Sequence, residues 1–413
     1  MSNMNKILSL VSIGMLMTSL SGGIEIIDDQ RIGVDGKTFS VPPLKTLSVQ
    51  NETHGYFPVF DANKQWFASG TSPKQSIFNS IKSIRVFDAS GSELAEGKDF
   101  VFSSEKNRIG LLNSGAKAQL PVSLCYTYVP QRIDSIIRNA RGELSYRTGV
   151  AAGITPRMAE LQPGETRLVN IHLSAGQQKV SGDNVYPITE TAFPENNPPC
   201  AEQLLPKTTA KLRAGVPVKI LAWGDSVTEG YGDLDESDRW QEQFVRRLKE
   251  RFPKADIELI TNGWGGHNTT NFFAAPESDS KHHYPDSIIG VKPDLVISEF
   301  VNDSWHDQNE FNRIYPKLLN DFRAAGIEWI VITPHHIMDM KNIDGNDSRL
   351  YVKLLRQFAK DNNIALADVS DRYSRLYRQG IPYLTLMVNH FNHPDARGMK
   401  IYSDALIAVF PPQ

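Results

Sequence analysis

The pentad Gly224-Asp225-Ser226-Val227-Thr228 stands directly behind the apolar run Val218 to Trp223. An apolar, β-branched run that breaks at Gly-Asp-Ser predicts a strand handing a serine to a strand–helix junction. Glycine permits the sharp turn, and the next helix aims its free N–H groups back at the hydroxyl. A serine held there can act as a nucleophile, with backbone donors ready for the oxyanion it creates. Gly-Asp-Ser also occurs in ordinary turns, so its meaning depends on what the neighbouring strand ends carry.

From about Lys211 onward the chain alternates strand and helix patterns. Strands are expected at Ile220–Trp223, Ile257–Thr261, Asp294–Phe300, Trp329–Thr333 and Ile364–Asp368. Helices are expected at Trp240–Phe252, Phe311–Ala325 (ended by Gly326), Arg349–Asn362 and Met399–Val409. Such repetition predicts an α/β domain with a parallel sheet, helices on both faces and sites at the carboxyl ends of the strands. Each exit carries unusual polar residues: Asp225-Ser226, then Thr261 to Thr269, then Asn302-Asp303, then His335-His336. Asn389 to Asp395, just before the last helix, is as polar and contains His393.

These segments, in this order, resemble the four blocks of the SGNH/GDSL hydrolase family. Gly-Asp-Ser-Val-Thr-Glu-Gly at 224–230 matches the first block, Gly265-Gly266 the second, Asn302-Asp303 the third and His393-Pro394 the last. The resemblance covers about residues 216–411. It implies a flavodoxin-like α/β/α fold and ester hydrolysis without metal or cofactor, often by secreted enzymes acting on acylated carbohydrates or lipids. Ser226 then stands in the nucleophile position and His393 in that of the general base. The backbone N–H groups of Ser226 and Gly266, the latter favoured over Gly265 by aligning the Gly-Gly pair, and the side chain of Asn302 stand as the oxyanion hole. Trp264 and Trp305, beside the oxyanion segments, are candidate platforms for a sugar ring, although core or rim aromatics fit equally, and His267 is a candidate for lining the substrate pocket.

One departure concerns the acid that orients the histidine. The family usually has an aspartate three residues before it, and His390 occupies that place here. Three alternatives stand: a Ser–His dyad oriented by a main-chain carbonyl, an acid from elsewhere (Asp395, or more distantly Asp303), or a domain that has lost strong catalysis. Loss of the acid lowers such activity rather than abolishing it. The pairs His282-His283 and His335-His336 resemble metal ligands, but adjacent residues usually point apart, and no metal site is expected.

The chain has 413 residues, 40% hydrophobic and 22% charged, with net charge −3, which suits a multidomain globular protein and gives no sign of a nucleic-acid partner. Residues 1–23 have the layout of a secretory signal peptide, which places the mature chain in a secreted or periplasmic setting with no membrane span. From 24 to 191, short alternating strands separated by Gly, Ser and Asn predict an all-β accessory domain, a sandwich or two small modules. Residues 192–210, with Pro194, Pro198, Pro199 and Pro206, read as an extended linker before a hydrolase domain at 211–413. Cys125 and Cys200 are the only cysteines, and both a disulfide and two free thiols fit. The expected function is acetyl or short-acyl removal from a carbohydrate. The rivals are a lipase or arylesterase of the same fold, and a non-catalytic glycan-binding protein.

Overall fold

The computed structural model describes residues 19–20, 23–61, 63, 70–193, 198–232, 234–338, 340 and 347–412. Apart from 19–20 and 23, the expected signal peptide lies outside the described residues.

Five strands form the C-terminal sheet: β1 (Val218–Gly224), β2 (Ile257–Gly263), β3 (Leu295–Glu299), β4 (Glu328–Ile332) and β5 (Ala365–Ala367). All neighbours are parallel, in the order β2-β1-β3-β4-β5, the flavodoxin-like arrangement. Strand β1 shows why the sequence forces this place upon it. Val218, Ile220 and Ala222 enter one hydrophobic core, while Leu221 and Trp223 enter the other. A strand apolar on both sides has to lie mid-sheet, between two helical layers. Its neighbours in register are Gly263 and Glu299, both opposite Gly224, so three strands end at one level and their loops share one edge. The helices Trp240–Arg251, Gln308–Ala325, Leu350–Asn362 and Ala396–Ala408 match the expected ones, and Gly326 ends the second in the left-handed conformation with φ 73°.

The N-terminal region is mostly antiparallel sheet, with two separate cores. In the first, the strands Ile24–Asp28, Arg31–Val34 and Lys37–Ser40 pack through Ile32 and Val34 against a sheet containing Arg132–Arg138 and Thr166–Leu173. The second core gathers Val86, Phe100, Ile109, Val122 and Leu124 from strands that all fall between residues 47 and 128. The second unit is therefore an insertion between strands of the first. Part of the segment expected as extended linker is instead helical, at Ala201–Leu204 and Pro206–Ala214. Proline at the first helical position is compatible with a helix, and Ala201, Leu205 and Leu212 are buried in a core of the C-terminal α/β domain. Both cysteines are free. Among the described residues no helix is long and apolar enough to cross a membrane.

Candidate active site

Ser226 opens a single helical turn, Ser226–Glu229, immediately after β1. Gly224 has to be glycine here, because a Cβ would lie 2.1 Å from Thr228 Oγ1 and 2.2 Å from the Glu299 carbonyl oxygen. Asp225 then fixes the serine turn in place. One carboxylate oxygen accepts from Val227 N at 3.0 Å and the other from Asn302 N at 2.8 Å. A single buried side chain thus clamps this turn to the loop after β3. Burial raises Asp225 to about 7 despite the backbone donors that oppose the shift.

His393 approaches from the loop before the last helix. That loop is closed by the Met387–Pro394 bridge and by Val388 N donating to the His393 carbonyl at 2.8 Å. From beneath, His335 Nε2 lies 2.9 Å from the Asn392 carbonyl and its Nδ1 lies 2.6 Å from the Tyr402 hydroxyl. The result places His393 Nε2 at 2.8 Å from Ser226 Oγ. Tyr231 stacks on the imidazole, with centroids 4.0 Å apart and planes at 16°.

The N–H groups of Ser226 and of Gly266, in the loop after β2, have no acceptor among the described residues. Gly265 cannot serve in the same way, because its N–H is already given to Glu229 Oε2 at 2.8 Å. Gly266 is exposed and holds φ 76°, a conformation that favours glycine. The Asn302 amide donates to the His267 carbonyl at 3.0 Å, which uses one of its two N–H bonds and leaves the second.

Residues 222–401 match the GDSL-like lipase/acylhydrolase family. Those residues are a GDSL-like domain. No curated protein matches the chain in sequence. Among solved structures the chain is similar to an α/β hydrolase enzyme from the metagenome of Lake Arreo, Spain (20% identity, 46% of this chain and 94% of that one, TM-score 0.39). It is also similar to a two-domain esterase active on acetylated mannans (18% identity, 52% and 57%, TM-score 0.41). A third is an acetyl xylan esterase (20% identity, 46% and 97%, TM-score 0.36).

The GDSL-like domain departs from expectation at His393 Nδ1. Among the described residues neither a main-chain carbonyl nor an acid bonds there: its partner is the Asn389 amide nitrogen, at 2.7 Å. The orientation of that amide is set by its oxygen, which accepts the N–H groups of Phe391, Asn392 and His393 at 3.0, 3.0 and 3.1 Å. Turning it round would set an NH2 group against three donors. Asp395, the candidate acid, is committed elsewhere. It caps the last helix by accepting Arg397 N and Gly398 N, and it pairs with the Arg397 guanidinium at 2.7 Å. Asp303 is buried and accepts from Thr269 and Tyr315. His390, in the usual place of the acid, takes φ 53°, and burial pushes it down to about 4.

The aromatic candidates separate. Trp264 cannot be a sugar platform, because His267 covers one face and His282 the other, at centroid distances of 3.9 and 4.1 Å. His267 is held there by Nδ1 at 2.8 Å from the Gly265 carbonyl and so braces the loop after β2. Trp305 is 74% exposed and remains available to a ligand. His335 and His336 point to different partners, Tyr402 and Ser374. Asn389, Tyr231 and the clamping role of Asp225 were not anticipated. An asparagine four residues before the histidine and a tyrosine directly after the first block were the only signals in the sequence.

Proposed function

We propose that this protein is a secreted or periplasmic serine esterase that removes a short acyl group, foremost acetyl, from a carbohydrate. The observation that carries the reading is the 2.8 Å contact between Ser226 Oγ and His393 Nε2, beside two unclaimed backbone N–H groups. Ser226 Oγ attacks the ester carbonyl while its proton passes to Nε2. The oxyanion is met by Ser226 N–H, Gly266 N–H and the Asn302 amide, each such donor contributing on the order of 10²–10³ in rate. Nε2 then returns the proton to the departing alcohol, and water repeats the sequence on the acyl-enzyme.

Asn389 sets the pace. With an NH2 group facing Nδ1, the favoured neutral tautomer carries its proton on Nε2, where it donates to Ser226 and cannot accept. Attack proceeds from the other tautomer, whose Nδ1–H faces a donor. A histidine with the wrong tautomer favoured loses up to about 10⁴ in turnover, so the centre is a slow one. The same amide favours a second reading, a glycan-binding domain that has given up catalysis. Ser226→Ala separates the two. Hydrolysis of p-nitrophenyl acetate by the intact chain that disappears in the variant supports the esterase. Absence of hydrolysis, or hydrolysis unchanged by the substitution, defeats it. A lipase of this fold would prefer long acyl chains in a chain-length series, whereas an acetylesterase loses activity beyond the shortest.

A further inference from the structure

His267 follows Gly266 directly and bears on two of the three groups proposed above to meet the oxyanion. Its ring Nδ1 lies 2.8 Å from the Gly265 carbonyl oxygen, which belongs to the same peptide as the Gly266 N–H. Its own carbonyl accepts from the Asn302 amide at 3.0 Å.

The first contact fixes a direction. A carbonyl oxygen only accepts, so His267 has to carry a proton on Nδ1 and donate it. The Gly265–Gly266 peptide is trans, and in a trans peptide the C=O and N–H point opposite ways. Holding the Gly265 oxygen on the ring therefore turns the Gly266 N–H away from it, where it meets no acceptor among the described residues. The preceding peptide is pinned as well, because the Gly265 N–H is given to Glu229 Oε2 at 2.8 Å. Two consecutive glycines have the widest backbone freedom of any pair, so without such holds this peptide could turn over at little cost. Turned over, it would present a carbonyl oxygen in place of the N–H, and an oxygen repels an oxyanion. The loop stands against the nucleophile, since a Cβ on Gly265 would lie 3.7 Å from Ser226 Cβ.

The imidazole is itself held in plane. It stacks on Trp264 with centroids 3.9 Å apart and planes at 14°. His282 covers the other face of Trp264 at 4.1 Å and 10°, and Asp279 holds His282 Nδ1 at 2.9 Å. Rotation that takes Nδ1 off the carbonyl would also break this stack. Stacking needs only an aromatic ring, whereas the hold on Gly265 needs an N–H, so substitution can separate the two.

We propose that His267 is a positioning residue for the oxyanion hole, its Nδ1–H keeping the Gly265–Gly266 peptide turned so that the Gly266 N–H is offered to the reacting oxygen. The role rests on the Ser226–His393 reading above and acts through the backbone of Gly266. Its test measures kcat and KM for p-nitrophenyl acetate, and the denaturant midpoint, in the full chain and three variants. His267→Phe keeps the stack and loses the donor. Its kcat should fall at least about ten-fold with KM within about two-fold, because a donor felt only in the transition state acts on kcat. His267→Ala, lacking both, should be as slow. His267→Asn loses the stack but sets an amide N–H near the place of Nδ1, and its kcat should stay within about three-fold of the unaltered chain. The midpoints should rank the other way, with His267→Phe above His267→Asn, because stability follows the stack. Ser226-dependent hydrolysis that survives in His267→Phe, or that falls as far in His267→Asn as in His267→Ala, would overturn the proposal and leave the esterase intact. Hydrolysis unchanged by Ser226→Ala would instead remove the reading beneath it.

Discussion

An amide in place of a carboxylate changes which nitrogen of an imidazole holds the proton, and at His393 little else opposes that preference. The ring is enclosed by Tyr231 and the loop, and burial pushes it down to about 3. Neither neighbour at Nδ1 or Nε2 is charged, so nothing stabilises the imidazolium that forms during proton transfer. The consequence for pH has a definite sign. A general base works in its neutral form, and a lowered value keeps it neutral further into acid. On the acid side kcat/KM should therefore hold down to about pH 5, where an ordinary histidine near 6.5 would already be mostly protonated. A pH–rate profile on p-nitrophenyl acetate checks this, and an acid limb near 6.5 would contradict it. The serine and histidine that meet at 2.8 Å, and the glycine whose N–H stays unclaimed, stood out in the sequence because each sits at a chemically odd break in an apolar pattern. Asn389 was not, because an asparagine in a polar loop carries no mark of what its amide faces.

Three strand ends in register do the positioning that no single residue could. Gly224 lies opposite Gly263 and Glu299, and the loops leaving these points hold Ser226, Gly266 and Asn302. Asp225 joins the first loop to the third, and His267 braces the second. The strands and helices were readable because apolar runs and 3.6-residue periodicity persist over many positions. The loop carrying His393 was less so, since its shape depends on His335 from after β4 and on Tyr402 of the last helix, both distant in sequence. Gly224→Ala tests the rigidity of this edge. A Cβ at that point strikes a main-chain oxygen that cannot retreat without moving β3, so a loss of about 1–3 kcal/mol of stability is expected. Denaturant unfolding would show it, and an unchanged midpoint would mean that the turn is looser than its contacts suggest.

Across the whole molecule, the two β cores and the hydrolase are interleaved. Residues 47–128 interrupt the first β unit, and that unit closes on the hydrolase through Glu190, which pairs with Arg375 and Arg378. Asn170 adds a hydrogen bond to the Gly380 carbonyl at 2.7 Å, and Ile188 bridges Gln379. An all-β region was legible from alternation and turn residues, but the insertion was not. The insertion depends on contacts between residues distant in the chain, Leu47 pairing with Tyr128 and Ile32 sharing a core with Ile171, and a local pattern holds no record of that. The helical start of the hydrolase was missed for a related reason. Proline-rich composition suggested extended chain, whereas burial of Ala201 and Leu205 in the hydrolase core favours helix. Lys74, Thr155 and Tyr231, one from each of these three pieces, line a single cleft.

The central claim is that Asn389 holds His393 in an idle tautomer, and Asn389→Asp tests it most directly. A carboxylate there can still accept the three loop N–H groups, and it would receive Nδ1–H and stabilise the imidazolium. Measured as kcat on p-nitrophenyl acetate across pH, the variant should gain at least about ten-fold, within a ceiling of roughly 10⁴, and its acid limb should move up in pH. A variant that folds normally yet shows no gain and an unmoved limb would contradict the account.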